Sequence, residues 1–271
     1  MVESIRLLIP MVKEAGHRAL EHQKKYDFAK REMKPDGSVV TEIDRLTEEF
    51  LCAGIARYFP EANYVTEELA RKFEESLPWT WVIDPIDGTD NFSQGAHSWS
   101  ISIGLLDGGL QPVAGMVFAP RLDLFLFADR GGGLEINDQP AAELPPVESL
   151  NSLSGLVVSS RILQYLDLRG FPGKIRSLGS AALHLCFPAC YPGIVGTLQE
   201  PQTYAWDIAG AHAILQAAGC RMSYQDGRSL DYKAMRPNQW KAEDIMVATR
   251  PGAWELLRGT LRSYDPGVPK H

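Results

Sequence analysis

The chain has 271 residues, of which 45% are hydrophobic, so it is long enough to bury a substantial core. It carries 27 Lys and Arg against 34 Asp and Glu, a formal net charge of −7. This balance disfavours a general nucleic-acid binder, because such proteins need a basic surface. No stretch approaches the roughly 18 uninterrupted apolar residues of a membrane helix, so no membrane span is expected.

The four cysteines form no CxxC pair and have no His at zinc spacing; they are Cys52, Cys186, Cys190 and Cys220. Cys186 and Cys190 lie four residues apart in an apolar stretch, which favours buried thiols on one helix over a metal site. Reduced cysteines fit a reducing compartment. Because the N-terminus also lacks the unbroken apolar core of a signal peptide, we expect a cytoplasmic protein.

Helical periodicity marks the N-terminal part of the chain. Apolar residues recur at helical spacing over residues 3–26 and again over residues 41–59, so each segment is predicted to be an amphipathic helix. Between them, the polar residues 34–40 contain Pro35-Asp36-Gly37, which indicates a turn or a mobile loop.

From Trp79 the period changes to that of strands. An apolar run over residues 81–83 ends at Asp84, and apolar and small residues alternate over residues 99–105. Residues 113–119 and 124–128 flank a turn sequence and predict an antiparallel hairpin, and Asn137-Asp138 marks a further turn.

After a loop near residues 140–152, strands and helices alternate. Strands are predicted at residues 156–159, 174–178, 194–198, 221–224 and 245–248. Helices are predicted at residues 181–189 and 207–218, the second ended by Gly219. Helices, then antiparallel strands, then alternating helices and strands indicate an α+β fold with layers of sheets and helices.

An acidic segment at residues 81–92 carries the strongest chemical signal. Asp84 ends a strand and Asp87 follows three residues later, so a turn could aim both carboxylates at one point. Gly88 allows an irregular backbone, and its amide and that of Thr89 could face an anion. Carboxylates, water and phosphate oxygens are the ligands that Mg²⁺ prefers. An Asx turn with capping aspartates is the open alternative.

Two further acidic segments bear on this choice. Glu67 and Glu68 follow a short apolar run, and Asp207 opens an apolar helix. Separately, Asp207 is also typical of a helix cap, and Glu67 of a solvated loop acid. Carboxylates that pack together resist joint ionisation unless cations are bound, so a cluster of these acids would favour a metal site.

Five segments together resemble the inositol monophosphatase superfamily of Mg²⁺-dependent, lithium-sensitive-type phosphatases. DPIDGTDNF at residues 84–92 is similar to its first signature, and WDIAGAHAILQAAG at 206–219 to its second. The other three occur in the family's order: KPDGSVVTEID at 34–44, TEE at 66–68 and IRSLGSAAL at 175–183.

The resemblance implies a layered αβαβα sandwich of the inositol monophosphatase / fructose-1,6-bisphosphatase type. It implies one domain over residues 1–271, with a metal-site half at about 1–145 and a C-terminal α/β half at about 150–271. A homodimer is expected, without a membrane or direct nucleic-acid partner.

The resemblance also implies roles for single residues. Two to three Mg²⁺ ions would be held by Glu67, Asp84, the carbonyl of Ile86, Asp87 and Asp207. The catalytic set would be Glu67 and Thr89 at the attacking water, and Asp44 as the partner of Thr89. Substrate and phosphate contacts would come from Gly88, Thr89, Gly179, Ser180, Ala181 and Glu200, and Lys34 would lie on a mobile loop that closes over the site.

Substrate choice stays open among several classes. Glu200 lies six residues before Trp206, where inositol-specific members bind sugar hydroxyls, but Gly196 replaces an Asp of those members. The expected reaction is hydrolysis of inositol-1-phosphate or a related sugar, polyol or histidinol phosphate by metal-activated water. A 3′(2′),5′-bisphosphate nucleotidase of the same fold is one alternative. A regulatory binding protein that has kept the fold is another.

Overall fold

The computed structural model describes residues 2–25, 32–33 and 39–263. Lys34 and the Pro35-Asp36-Gly37 segment lie outside the described residues. Among the described residues, no helix is long and apolar enough to cross a membrane.

The single helix predicted for residues 3–26 is wrong, because the chain forms two helices there. They are α1 (Val2–Arg6) and α2 (Ile9–Gln23). Pro10 is in the first turn of α2, where its missing amide is tolerated. In a continuous helix its ring would clash with the carbonyl four residues earlier, so the helix breaks before it.

A capped helix follows a short strand pair. Strands β1 (Glu32–Met33) and β2 (Val39–Val40) are antiparallel and lead into helix α3 (Glu42–Ala56). Thr41 caps α3 by accepting the amide of Ile43 at 3.2 Å, while the Asp44 carboxylate accepts the amide of Thr41 at 2.9 Å. The two contacts form a capping box, which starts the helix at this point and turns Asp44 inward.

A seven-stranded sheet forms the first half of the core. Its strands are in chain order, from β3 to β9, and only β3 and β4 are parallel. They are β3 (Ala62–Thr66), β4 (Trp79–Asp87), β5 (Ser100–Asp107), β6 (Pro112–Ala119), β7 (Leu124–Asp129), β8 (Gly133–Ile136) and β9 (Gln139–Pro140). Helix α4 (Thr89–Ser93) follows β4. The predicted hairpin is confirmed as β6 and β7, and the Asn137-Asp138 turn joins β8 to β9.

A five-stranded mixed sheet forms the second half, in the order β12-β10-β13-β15-β14. Its strands are β10 (Gly155–Val158), β12 (Lys174–Arg176), β13 (Ile194–Gln199), β14 (Arg221–Tyr224) and β15 (Met246–Thr249). Strands β11 (Leu166–Asp167) and β16 (Arg262–Ser263) pair separately. The helices are α5 (Ala181–Cys190), α6 (Ala205–Ala217), α7 (Tyr232–Met235) and α8 (Ala253–Arg258).

The sheets and helices stack in five layers. Helices α2 and α3 cover the outer face of the larger sheet, helices α5 and α6 fill the space between the sheets, and α8 packs on the outer face of the smaller sheet. Each interface has its own buried apolar cluster, which supplies most of the stabilisation. The predicted αβαβα sandwich is therefore confirmed.

Glycines let α6 lie directly on the larger sheet. A Cβ at Gly104 of β5 would come within 2.6 Å of the Ala209 Cβ in α6, so a larger residue there would push the helix away. This close approach brings the N-terminus of α6, with Asp207, toward the end of β4. The fold thereby joins two acidic segments that are far apart in sequence.

The thiols and Trp99 have the core positions that the sequence indicates. All four cysteines are free; Cys52, Cys186 and Cys220 are buried and Cys190 is half-buried. Trp99 is fully buried, and its ring meets Phe92 edge-on at 5.0 Å between centroids.

Candidate metal centre

A β-bulge brings Asp84 and Asp87 to the same face of strand β4. The prediction that a turn separates them is wrong, because β4 continues through both residues. Asp84 pairs with Ser102 of β5 and Asp87 with Ser100, so three steps on β4 match two on β5. In a regular strand, residues three apart would point to opposite faces, and the extra residue removes this difference.

Asp207 joins this pair from the first turn of α6. Its Oδ2 accepts the Tyr204 amide at 2.8 Å, so the residue does cap its helix. One oxygen of each of Asp84, Asp87 and Asp207 nevertheless lies within 4.8 Å of the other two. The helix-cap interpretation and the metal-ligand interpretation of Asp207 are therefore compatible.

The electrostatics of this acidic cluster favour a bound cation. Burial raises the pKa of Asp84 well above its usual range, and the charges of Glu67, Asp87 and Asp207 raise it further. Burial and the charges of Asp87 and Glu67 raise the pKa of Asp207 in the same way. Oxygen donors of this kind, converging and mutually repelling, fit a hard divalent cation such as Mg²⁺.

Asp87 is held by the start of α5 as well as by its own strand. Its Oδ1 accepts the amide of Ala181 at 2.9 Å, and its Oδ2 accepts the amide of Ala182 at 2.8 Å. The hydroxyls of Ser180 and Ser100 also donate to Oδ2, the second at 3.3 Å. Burial raises the pKa of Asp87, and these donors oppose that rise because they stabilise the ionised form.

Thr89 is the first residue of α4, which begins directly after Asp87 and Gly88. Its Oγ1 lies 2.9 Å from Oδ1 of Asp44 and 2.9 Å from the carbonyl oxygen of Ile86. One hydroxyl proton serves one acceptor well, so the two acceptors compete for it. The predicted contact between Asp44 and Thr89 is present, and burial raises the pKa of Asp44 to about 6.

Gly88 has a conformation that only glycine adopts easily. Its φ is 89°, and a Cβ there would lie 2.8 Å from the carbonyl oxygen of Gly179. Asn91 donates to the carbonyls of Ser98 and Leu178 at 2.7 and 2.6 Å. The turn at Gly88 and the segment at residues 178–180 are therefore closely joined.

Glu67 follows β3 and is half-buried, outside the three-carboxylate cluster. Its charge is among the causes that raise the pKa of Asp84 and Asp207, which places it near both. Glu48 of α3 is fully buried and accepts the amides of Glu68 at 2.8 Å and Leu69 at 2.9 Å. The sequence analysis missed Glu48; its position four residues after Asp44, on the same helix face, could have indicated it.

The model of the inositol monophosphatase family matches residues 2–263. The chain belongs to the inositol monophosphatase family. It is 30% identical over 236 residues to the Nus factor SuhB of Pasteurella multocida, and the matched region covers 79% of this chain and 82% of that protein. It is 32% identical over 208 residues to the histidinol-phosphatase of Mycobacterium tuberculosis, spanning 72% and 77%. The solved structure of a Thermotoga maritima IMPase matches with a TM-score of 0.77 at 23% identity, covering 95% of this chain and 98% of that one.

Family membership indicates which reaction the acidic cluster serves. This inositol monophosphatase family member is a metal-dependent phosphomonoesterase with a candidate metal site at Asp84, Asp87 and Asp207. Its relatives carry different activities in their names, so membership alone leaves the substrate open.

In this family member, a cavity of 380 Å³ adjoins the cluster. Asp87 and Asp207 line one part of it, and four of the predicted substrate residues also line it: Gly179, Ser180, Ala181 and Glu200. Arg161, which the sequence analysis did not single out, also lines the cavity, and its amide donates to Glu200 at 3.3 Å. The chemistry of the cavity therefore changes from acidic at the cluster to mixed at its far end.

Gly196 does not lie on this cavity. It is in β13, and a Cβ there would lie 2.7 Å from the Leu257 Cδ1 of α8, on the outer face of the smaller sheet. Position 196 therefore lies away from the candidate substrate cavity in this chain. The sequence could not show this, because the face of a central strand depends on its register in the sheet.

Two buried histidines have structural partners. His184 accepts the amide of Leu178 at 2.8 Å and also lines the cavity, whereas His212 contacts the Tyr232 hydroxyl and Gln216, each at 3.2 Å. Burial lowers the pKa of both imidazoles to about 4. Both are therefore neutral at pH 7, as expected for structural histidines.

Proposed function

We propose that the chain hydrolyses the phosphate monoester of a small sugar or polyol, such as inositol-1-phosphate, with two to three Mg²⁺ ions bound. The observation that carries this proposal is the 380 Å³ cavity, which joins the acidic cluster to a wall of hydroxyl and amide groups. This wall includes Ser159, Gln199, Gln202 and Thr203. Neutral hydrogen-bonding groups of this kind suit a polyhydroxylated leaving group.

The residues of the cluster would divide the chemistry among them. Bound divalent cations would polarise the phosphate and lower the pKa of a bound water molecule toward neutral pH. Asp84, Asp87 and Asp207 would hold the cations, with Glu67 and the carbonyl of Ile86 as further ligands. Thr89 would orient the attacking water, whose proton would pass to the Glu67 carboxylate or, through the Thr89 hydroxyl, to the Asp44 carboxylate.

Positioning of Thr89 would depend on Asp44. The Asp44 carboxylate lies 2.9 Å from the Thr89 hydroxyl and is itself fixed by Thr41. The backbone amides of Gly88 and Thr89, at the start of α4, would face the phosphate.

At the leaving-group end, charge separates the candidate substrates. Glu200 can accept hydrogen bonds from sugar hydroxyls. Arg161 and Glu200 bring opposite charges to this end, so it carries no net negative charge that would select a cationic leaving group such as that of histidinol phosphate. We therefore rank sugar and polyol phosphates above histidinol phosphate for this chain.

A phosphate-release screen tests the proposal. The panel would contain inositol-1-phosphate, several sugar phosphates, histidinol phosphate and a 3′,5′-bisphosphate nucleotide, each with Mg²⁺ and with EDTA. We expect Mg²⁺-dependent release, fastest from a sugar or polyol phosphate. Preference for histidinol phosphate would overturn the substrate class, and release in EDTA equal to that in Mg²⁺ would overturn the metal role.

One aromatic feature supports the nucleotidase alternative. Tyr204 lines the cavity and its ring stacks on that of Trp206, with 4.2 Å between centroids and 11° between planes. An adenine base could extend such a stack. Fastest release from the bisphosphate nucleotide would favour this alternative.

Two further expectations belong to the same proposal. We propose that the protein is cytoplasmic and forms a homodimer. Light scattering on the purified protein tests the homodimer. The regulatory alternative is kept because of the likeness to a Nus factor, and it predicts no phosphate release from any compound in the screen.

A further inference from the structure

Two buried serines lie side by side on β5, behind the acidic cluster. Ser100 and Ser102 are both fully buried, and their separation of two residues places them on the same face of the strand. Their neighbours Ile101 and Ile103 fill the opposite face, toward α2 and α3. Buried hydroxyls weaken a sheet core unless they are hydrogen-bonded, so the partners of these two serines indicate why they are there.

Ser100 contacts the ligand side chain Asp87 and the residue that holds it. Its Oγ donates to Oδ2 of Asp87 at 3.3 Å and lies 3.1 Å from the Oγ of Ser180. Ser180 donates to the same Oδ2, and it caps α5 by accepting the Leu183 amide at 3.4 Å. Ser100 therefore connects the bulged end of β4 to the N-terminus of α5.

Ser102 makes the equivalent connection to the other helix. Its Oγ donates to the carbonyl oxygen of Trp206 at 3.1 Å, in the residue just before Asp207. Gly210, one turn further along α6, lies so close to β5 that a Cβ there would be 2.9 Å from the Ile103 carbonyl oxygen. Ser102 thus connects β5 to the first turn of α6, beside Asp207.

We propose that Ser100 and Ser102 are positioning residues that fix Asp87 and Asp207 relative to each other. In doing so they set the affinity of the site for divalent cations. The inference rests on the proposed function, because it assumes that these carboxylates bind metal. Alternate positions on the same face of one strand would therefore set the separation of the two ligands. Outer partners of this kind typically alter metal affinity by about 10- to 100-fold.

Alanine variants separate this role from a general contribution to packing. Ser100→Ala and Ser102→Ala each remove one hydroxyl. Ser223→Ala is the matched control, since Ser223 is a buried strand serine of the smaller sheet whose hydroxyl has no partner among the described residues. For each variant, calorimetry measures the affinity for Mn²⁺. Kinetic assays measure the Mg²⁺ concentration that half-activates phosphate release. Thermal melting in EDTA checks that each variant is folded.

The expected result is specific to the two β5 serines. Mn²⁺ binding should weaken about tenfold in each β5 variant, and half-activation should need about tenfold more Mg²⁺, with kcat at saturating Mg²⁺ reduced less than about threefold. Ser223→Ala should match the wild-type protein. If one β5 variant does not fold, the other decides. A folded β5 variant with wild-type Mn²⁺ affinity would overturn the inference. Absence of saturable Mn²⁺ binding in the wild-type protein would instead overturn the proposed function.

Discussion

The acidic cluster and the far end of the cavity are built in different ways. The cluster is formed by a bulged strand and two helix N-termini, and each of its three aspartates accepts at least one hydrogen bond from a backbone amide. The far end is formed by segments at residues 159–161 and 199–204, where Glu200 is half-buried and Arg161 is exposed. The cluster holds its carboxylates in fixed positions, as catalysis requires. The residues at the far end lie on loops, where substitutions can change substrate preference without moving the carboxylates.

This difference predicts that changes in the cluster affect catalysis and metal binding together, and that changes at the far end affect substrate preference alone. Variants at successive distances from the cluster test the distinction.

The largest effect is expected for Asp207→Asn. The amide is nearly isosteric and can still accept the Tyr204 amide through its oxygen, so the helix cap is kept. One negative charge is lost from the candidate metal site, and kcat should fall by about 10³-fold or more. Steady-state kinetics across Mg²⁺ concentrations measure this. Near-native kcat at saturating Mg²⁺ would show that Asp207 only caps its helix.

Thr89→Ala and Asp44→Asn should each lower kcat by about 10²-fold with little change in KM. Both substitutions disrupt one hydroxyl that must be aimed correctly, so the double variant should be little worse than either single one. A double-mutant cycle on kcat measures the coupling. Fully multiplicative losses would show that the two residues act independently and would remove the assigned proton path.

Glu48→Gln should have an intermediate effect, about tenfold on kcat. A glutamine offers one acceptor oxygen where the carboxylate offers two, so one of the amides at Glu68 and Leu69 loses its partner and the loop carrying Glu67 shifts. Glu49→Gln is the control, since Glu49 is an exposed neighbour on the same helix. Equal kinetics for the two variants would remove the positioning role of Glu48.

At the far end, Arg161→Gln and Glu200→Gln should change the ratio of kcat/KM between substrates. We expect changes of about 3- to 30-fold, and Arg161→Gln should improve histidinol phosphate relative to inositol-1-phosphate. The Mg²⁺ concentration for half-activation should stay at the wild-type value. A large change in Mg²⁺ requirement would show that the two regions are not separate.

The smallest effect concerns the pH dependence of stability in EDTA. Burial raises the pKa of Asp44 to about 6 from an ordinary value of 3.8, so the folded state holds its proton more strongly than the unfolded state. Its contribution is therefore favourable at low pH and is lost as pH rises through 6. The buried histidines, with pKa lowered to about 4, act in the opposite direction.

Comparison with Asp44→Asn cancels the histidine contribution. Relative to that variant, the wild-type protein should gain about 1 kcal/mol of unfolding free energy between pH 7.5 and pH 5. Urea denaturation at the two pH values measures the difference. If the difference in unfolding free energy between the wild-type protein and Asp44→Asn is the same at both pH values, Asp44 is ionised throughout this range.

The sequence singled out the three aspartates that the fold brings together because local motifs carry them. Asp84 ends an apolar run and Asp207 opens an apolar helix, so both could be placed on their elements from nearby residues alone, whereas Asp87 was expected after a turn and lies on the same strand as Asp84. Asp44 and Thr89 could be paired only through the family resemblance, and their contact is present at 2.9 Å.

Other features depend on contacts between distant segments. The bulge in β4 and the outward face of Gly196 follow from strand register, which no single segment contains. Glu48 and Ser100 resemble ordinary helix and strand residues until the loop at residues 67–69 and the start of α5 pack against them. The break before α2 was readable, since Pro10 alone accounts for it.

Direct titration of the purified protein with Mn²⁺, monitored by electron paramagnetic resonance, tests the central claim most directly. The claim is that Asp84, Asp87 and Asp207 form a metal site on which phosphate release depends. We predict saturable binding of two to three ions to the wild-type protein, loss of at least one of them in Asp207→Asn, and loss of phosphate release in parallel. Equal binding by the two proteins, or full release in EDTA by the wild-type protein, would contradict the account.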